Sequence, residues 1–172
     1  VTLEIVYEGR TNKAEIGDKE GLDQAFADMF SDYNVEERLQ ILGYASKQAY
    51  LEAKSVIQDK AADMVDHYVE HIFSNGFKAQ VVAASQEAAV RYEEALTEAL
   101  ARKVEQLESY NQYSINLDLL KQVEAKTVIS GGHNLPPHIQ QRANPTEHET
   151  IIKSFKMRYD HQNNGLAGKV GL

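Results

Sequence analysis

One change of hydrophobic period restricts the fold of this chain more than any other feature. From Ser46 to Phe73 apolar residues recur at helical spacing, with Ile57, Ala61, Met64, Val65, Tyr68 and Ile72 on one face. Asn75-Gly76 then stops the helix. Directly after it, Lys78-Ala79-Gln80-Val81-Val82-Ala83-Ala84 is a short apolar run that fits a buried strand. Ser85 follows with an oxygen suited to capping a helix, and Glu87 falls in the first turn, where the helix dipole favours an anion. The helix so begun runs to about Ser109, with Ala88, Ala89, Tyr92, Ala95, Leu96, Ala99, Leu100, Val104 and Leu107 as its apolar stripe.

The same alternation recurs downstream. Ala125 to Ile129 reads as a second short strand, leading into Ser130-Gly131-Gly132-His133-Asn134 and the Pro136-Pro137 pair. Asn144 caps a further helix with Pro145 at its first position, and Ile151, Ile152 and Phe155 give that helix an apolar side. Lys169 to Leu172 begins another strand. Upstream, Val1 to Tyr7 alternates like a strand, Leu22 to Tyr33 has helical spacing, and Val35 to Leu42 suggests a short helix ending at Gly43. Strands alternating with helices predict an α/β fold: a mostly parallel sheet flanked by helices, behind an N-terminal helical block. The expected organisation is a single incomplete domain over 1–172, with an entry strand at 1–10, a helical block at 22–75 and an α/β part at 78–172. Both ends are expected to be cut edges of a larger protein, because each falls inside an apolar pattern.

Composition narrows the function. The 172 residues are 42% hydrophobic and 26% charged, the profile of a folded globular domain rather than a disordered one. A net charge of −8 repels phosphate on average, which argues against an independent nucleic-acid-binding module but leaves room for a local basic patch. With no cysteine, neither a disulfide framework nor a thiolate zinc site is possible. No apolar run has bilayer length and the N-terminus lacks a signal-peptide layout, so no membrane partner is expected and the cytoplasm is the expected compartment.

Each candidate for chemistry has a plainer reading beside it. Gly165-Leu166-Ala167-Gly168-Lys169-Val170 is the nearest approach to a phosphate-binding loop, but its glycines are too close and Val170 brings no hydroxyl. Asp63, His67 and His71 lie along one side of a helix at a spacing that can hold zinc, yet off the apolar stripe and with no fourth ligand, so a solvated face is expected and no metal. Ser85 and Ser130 each follow a strand, but neither sits in G-x-S-x-G and no base accompanies them, so no catalytic residue is named. As structural residues they are a helix cap and a turn residue. As functional ones they share a rim, because loops leaving the C-terminal ends of parallel strands line the ligand crevice. Ser85, Gln86, Ser130 and Gly131 are then the candidate nucleic-acid contacts, with backbone amides suited to phosphate.

Several segments, taken in order, resemble the motor subunit of type I restriction enzymes. They are Tyr7-Glu8-Gly9-Arg10, Asp63-Met64-Val65-Asp66-His67-Tyr68, Gly76 through Ser85, Ala88-Ala89-Val90-Arg91-Tyr92, Val128-Ile129-Ser130-Gly131, and Ile152 to Phe155. The resemblance implies a partial RecA-like lobe, the second lobe of a superfamily 2 motor. It further implies a parent that uses ATP and magnesium to translocate and cleave double-stranded DNA, together with modification and specificity subunits. The strand ending in Ser85 would correspond to helicase motif IV. Gln86 departs from the family, which often has arginine there, so a charge-assisted phosphate contact becomes a neutral one. No ATP-binding or nuclease motif of that family lies in this chain, which is therefore expected to be inactive alone and to bind no cofactor. The competing expectation is a non-catalytic, acidic α/β interaction or regulatory module.

Overall fold

The structure, a computed structural model, describes residues 43, 47–110, 115–160, 162–163 and 166–172. The strand expected at 1–10 and the helices expected at 22–33 and 35–42 lie outside these, although Gly43 itself is helical. The chain falls into two compact units, Val1–Tyr50 and Leu51–Leu172, and everything below concerns the second.

Its core is a pair of packed helices. Helix α1, Lys54–His67, buries Val56, Ile57, Ala61 and Val65. The chain then widens into one π-helical turn, Tyr68–Ile72, and tightens into a 3-10 turn, Phe73–Asn75. Tyr68, Val69 and Phe73 all lie against the core, within an arc that the wider turn narrows. Gly76 ends the run in the left-handed region, at φ 77°, which few side-chain-bearing residues tolerate. Gly76 N–H donates to the Phe73 carbonyl at 2.8 Å and Phe77 N–H to that of Ile72 at 3.1 Å, the paired bonds of a Schellman stop.

Helix α2, Gln86–Ser109, packs on α1 and contributes Ala88, Ala95, Leu96, Ala99, Leu100 and Leu107 to the same core. Alanines at three of these positions keep the contacting surface low and let the helices approach closely. Each fully buried large aliphatic side chain here contributes about 1.5–3 kcal/mol. Lys103 on α2 ties the pair on the outside through Asp66 at 2.7 Å.

Three short helices follow: α3, Leu117–Leu120; α4, Pro137–Gln140; and α5, Pro145–Lys156. Asn116 and Asn144 cap α3 and α5, accepting from Leu119 N–H at 3.0 Å and Thr146 N–H at 3.1 Å. A two-residue antiparallel hairpin closes the unit, with β1, Gln162–Asn163, paired to β2, Leu166–Ala167. Ser154 of α5 is 5% exposed yet fully engaged, donating to the Ala167 carbonyl at 2.6 Å and accepting from Val170 N–H at 3.2 Å.

The expected parallel sheet of a RecA-like lobe is overturned. The interpretable residues are 62% helix, and their only ladder is the small hairpin, joined by one isolated parallel bridge between Glu124 and Val170. The physical reason is visible in the backbone bonds. Segments 78–84 and 124–129 form neither helix nor strand, and the backbone bonds that join them run through Lys169–Leu172, over too few residues to form a ladder. Nor is 78–84 a buried strand, since Val82 is 94% exposed. Val123, Ala125 and Ile129 are buried between exposed neighbours, the period-two pattern of a chain with one wet face. Helix packing, not strand pairing, holds this unit together.

Candidate functional site

The four candidate residues lie at the ends of segments 78–84 and 124–129, beside the start of α2. Ser85 is extended, at φ −151° and ψ 168°, and its oxygen accepts from Ala88 N–H at 3.1 Å while its carbonyl accepts from Ala89 N–H at 2.9 Å. Its hydroxyl donates to Glu52 Oε1 at 2.6 Å. The serine is thus a helix cap with its proton already committed to a carboxylate, and a phosphate arriving there must displace Glu52.

Gln86 is committed elsewhere. Its side-chain amide spans 44 residues to Ser130, donating to the backbone carbonyl at 2.8 Å and to Oγ at 3.1 Å. Ser130 and Gly131 are exposed, and no heavy atom lies within 4 Å of the position a Cβ would take on Gly131. All four residues therefore share one rim, and Gln86 and Ser130 touch directly.

The rim is fastened by ion pairs. Glu87 receives His138 Nε2 at 2.7 Å and Arg91 at 2.7 Å. The His138 hydrogen bond, aided by Arg91 and opposed by burial, holds the Glu87 carboxyl below its usual range. Arg91 also donates to the Glu52 carbonyl. One turn on, Glu93 accepts from Arg142 at 2.5 Å and from Thr127 N–H at 3.0 Å, and Thr127 Oγ1 donates to the Ala89 carbonyl at 3.0 Å. Beneath these bonds Val90, Ile129 and Ile139 form a small apolar cluster of their own. Sequence reasoning missed Glu93, Arg142 and His138. Only a charge of opposite sign at long separation could have marked them, and periodicity does not report that.

The helix-face trio does not gather a ligand set. Asp63 and His71 are exposed, and the rings of His67 and His71 lie 4.9 Å apart at a tilt of 54°. Among the described residues no group of three potential ligands is close enough to hold a metal ion, and no helix is long and apolar enough to cross a membrane. Behind the rim, Lys78 donates to the carbonyls of Ser154 and Gly168, both at 3.0 Å, and lies over the rings of Tyr159 and Phe155. Its burial lowers the ammonium to about 8.

Comparison with models of protein families, with curated proteins and with solved structures finds no match to this chain.

Proposed function

We propose that the chain is part of the ATP-dependent DNA-translocating and DNA-cleaving subunit of a type I restriction–modification enzyme, inactive by itself. In this reading the rim of Ser85, Gln86, Ser130 and Gly131 touches the sugar–phosphate backbone of double-stranded DNA. The observation that carries it is the Gln86–Ser130 bridge, which joins the two loops that hold the candidate residues. The chemistry supports backbone contact rather than base reading. Gln86 holds Ser130 in place with its amide, Ser130 keeps a hydroxyl proton to donate, and Gly131 presents a backbone N–H with no side chain above it. ATP and magnesium would be bound elsewhere in the parent, which would work in the cytoplasm with modification and specificity subunits.

Binding of a labelled duplex to the isolated chain, followed by fluorescence anisotropy, tests this. Weak, saturable binding is expected, with a shallow salt dependence because the neutral contacts of the rim release few counterions. Gln86→Ala should lower the affinity about tenfold, the worth of one hydrogen bond to a charged group, and leave the salt dependence unchanged. No saturable binding at low salt, or equal affinity for the variant, would remove the rim from the DNA path. Measurable ATP turnover by the pure chain would contradict the inactive-part reading.

One observation favours the second reading, a non-catalytic acidic interaction module: an apolar groove flanks the rim, with Val82 94% and Val128 48% exposed.

A further inference from the structure

Between two anchored points the chain crosses the start of α2 on side-chain contacts. Upstream, the backbones of Glu124 and Lys126 are bonded to Lys169, Gly171 and Leu172. Downstream, Asn144 caps α5, whose Ser154 is bonded to Ala167 and Val170. Among the described residues, no backbone-to-backbone hydrogen bond joins 127–143 to the rest of the unit. The bonds donated by the amides of Ile139, Gln140, Gln141, Arg142 and Ala143 all end inside the segment.

The fastenings converge on one stretch of α2. Gln86 holds Ser130, Glu87 holds His138, and Glu93 holds both Arg142 and Thr127 N–H. Thr127 Oγ1 reaches the Ala89 carbonyl, and at the downstream end His148 of α5 meets the carbonyl of Arg142. The sequence accounts for this complementarity. From Lys126 to Thr146 there is no acidic residue, whereas the first turns of α2 bring Glu87, Glu93 and Glu94. The apolar contact is small and separate. Ile129 and Ile139 close on Val90, with Ala89, Leu135 and Ala143 beside them, and none of the six belongs to the main core.

A segment stays docked only while its own contacts outweigh the chain entropy lost in holding it. Here the main core shares none of the apolar contacts, so giving them up leaves the packing of α1 on α2 as it was. A helix of four residues such as α4 cannot keep its bonds once detached. The segment is therefore either docked or open, with little between.

We propose that 127–143 is a strap that lifts off α2 as one unit while the α1–α2 core stays folded. Lifting parts Ser130 and Gly131 from Gln86 and uncovers Ala89 and Val90, so the strap makes and breaks the rim. Its bearing on DNA contact rests on the reading above; the opening itself does not.

Native-state amide hydrogen exchange, read by NMR on the 172-residue chain, tests this. After correction for intrinsic rates, the amides of Thr127 and 139–143 should exchange roughly tenfold or more faster than those of Leu96, Ala99 and Leu100. Ile139→Val should quicken all the strap amides by one common factor, about fivefold. Val65→Ala, deep in the α1–α2 contact, should quicken the core amides about tenfold and leave the strap amides unchanged, because the docked and lifted forms lose the same contact. Strap and core amides that exchange at one rate, or that Val65→Ala quickens alike, would overturn the proposal, since both would then open only by global unfolding. So would an effect of Ile139→Val confined to α4 that left Thr127 unmoved. No DNA enters the measurement, so failure of the strap and failure of the DNA reading give different results.

Discussion

Replacing Glu93 tests whether the rim is held by its ion-pair node. Both carboxylate oxygens are in use, one by Arg142 and the other by Thr127 N–H, and the side chain is only 13% exposed. Glu93→Ala removes a hydrogen bond of the charged kind, worth about 1.5–3 kcal/mol, and strands a half-buried backbone donor at a further cost of about 1–3 kcal/mol. Arg142 is 41% exposed and recovers water, so little is added for its lost partner. The expected loss is about 3 kcal/mol. Glu93→Gln keeps an acceptor for Thr127 and should lose about half as much. Glu149→Ala supplies the control, because its pair with Lys153 is exposed on both sides, at 73% and 68%, and should be worth less than about 0.5 kcal/mol. Equilibrium urea unfolding measures all three, with an unchanged denaturant slope confirming that stability alone has moved. If Glu93→Ala falls within about 0.5 kcal/mol of the parent, like the control, the node is ornamental and the reasoning fails.

The remaining predictions concern pH and close packing. Lys78 is lowered to about 8 by burial; between that value and the ordinary lysine range the unfolded chain binds more protons, so stability should rise with pH from about 8 to about 10. Above about 10 it should fall, because burial, aided at Tyr68 and opposed at Tyr159 by the hydrogen bond between them, leaves both tyrosines raised and neutral in the fold while unfolded tyrosine ionises. Denaturation of the parent and of Lys78→Met across this range reads it, and a flat parent profile would mean that two carbonyls and two rings offset the burial. Gly168→Ala and Gly171→Ala should each cost about 2 kcal/mol or more: a Cβ would meet the Arg158 carbonyl at 2.0 Å in the first and Tyr68, Val123 and Tyr159 within 2.8 Å in the second. Gly131→Ala, with open space around it, should change stability by less than about 0.5 kcal/mol, and thermal unfolding separates the three.

Local signals proved legible where a single residue dictates backbone geometry. Asn75-Gly76 stops the first helix in a left-handed turn, Ser85 caps α2, and Asn144-Pro145 opens α5, each as expected. The stripe on α2 holds too, with Val90 the one buried residue it omits, because Val90 faces the small second cluster rather than the main core. Strand pairing was not legible. The apolar run at 78–84 has the composition of a buried strand, but composition cannot say whether a neighbour covers each face, and Val82 has none. The π-helical turn at Tyr68–Ile72, the short α3 and the hairpin at 162–167 escaped for a related reason: each is too brief for periodicity to register. Ser85 and Ser130 were named from their places after expected strands, and they lie together although those strands form no sheet. The carboxylates and cations that fix them come from distant positions and left no pattern in the sequence.

Proximity of the two loops is the claim on which the functional reading depends, and the absence of native cysteine makes it directly measurable. The double variant Gln86→Cys, Ser130→Cys, treated with a short bismaleimide linker, should cross-link rapidly within the folded monomer and slow sharply once the chain is unfolded in urea. Equal rates in the two states, or cross-links only between molecules, would contradict it.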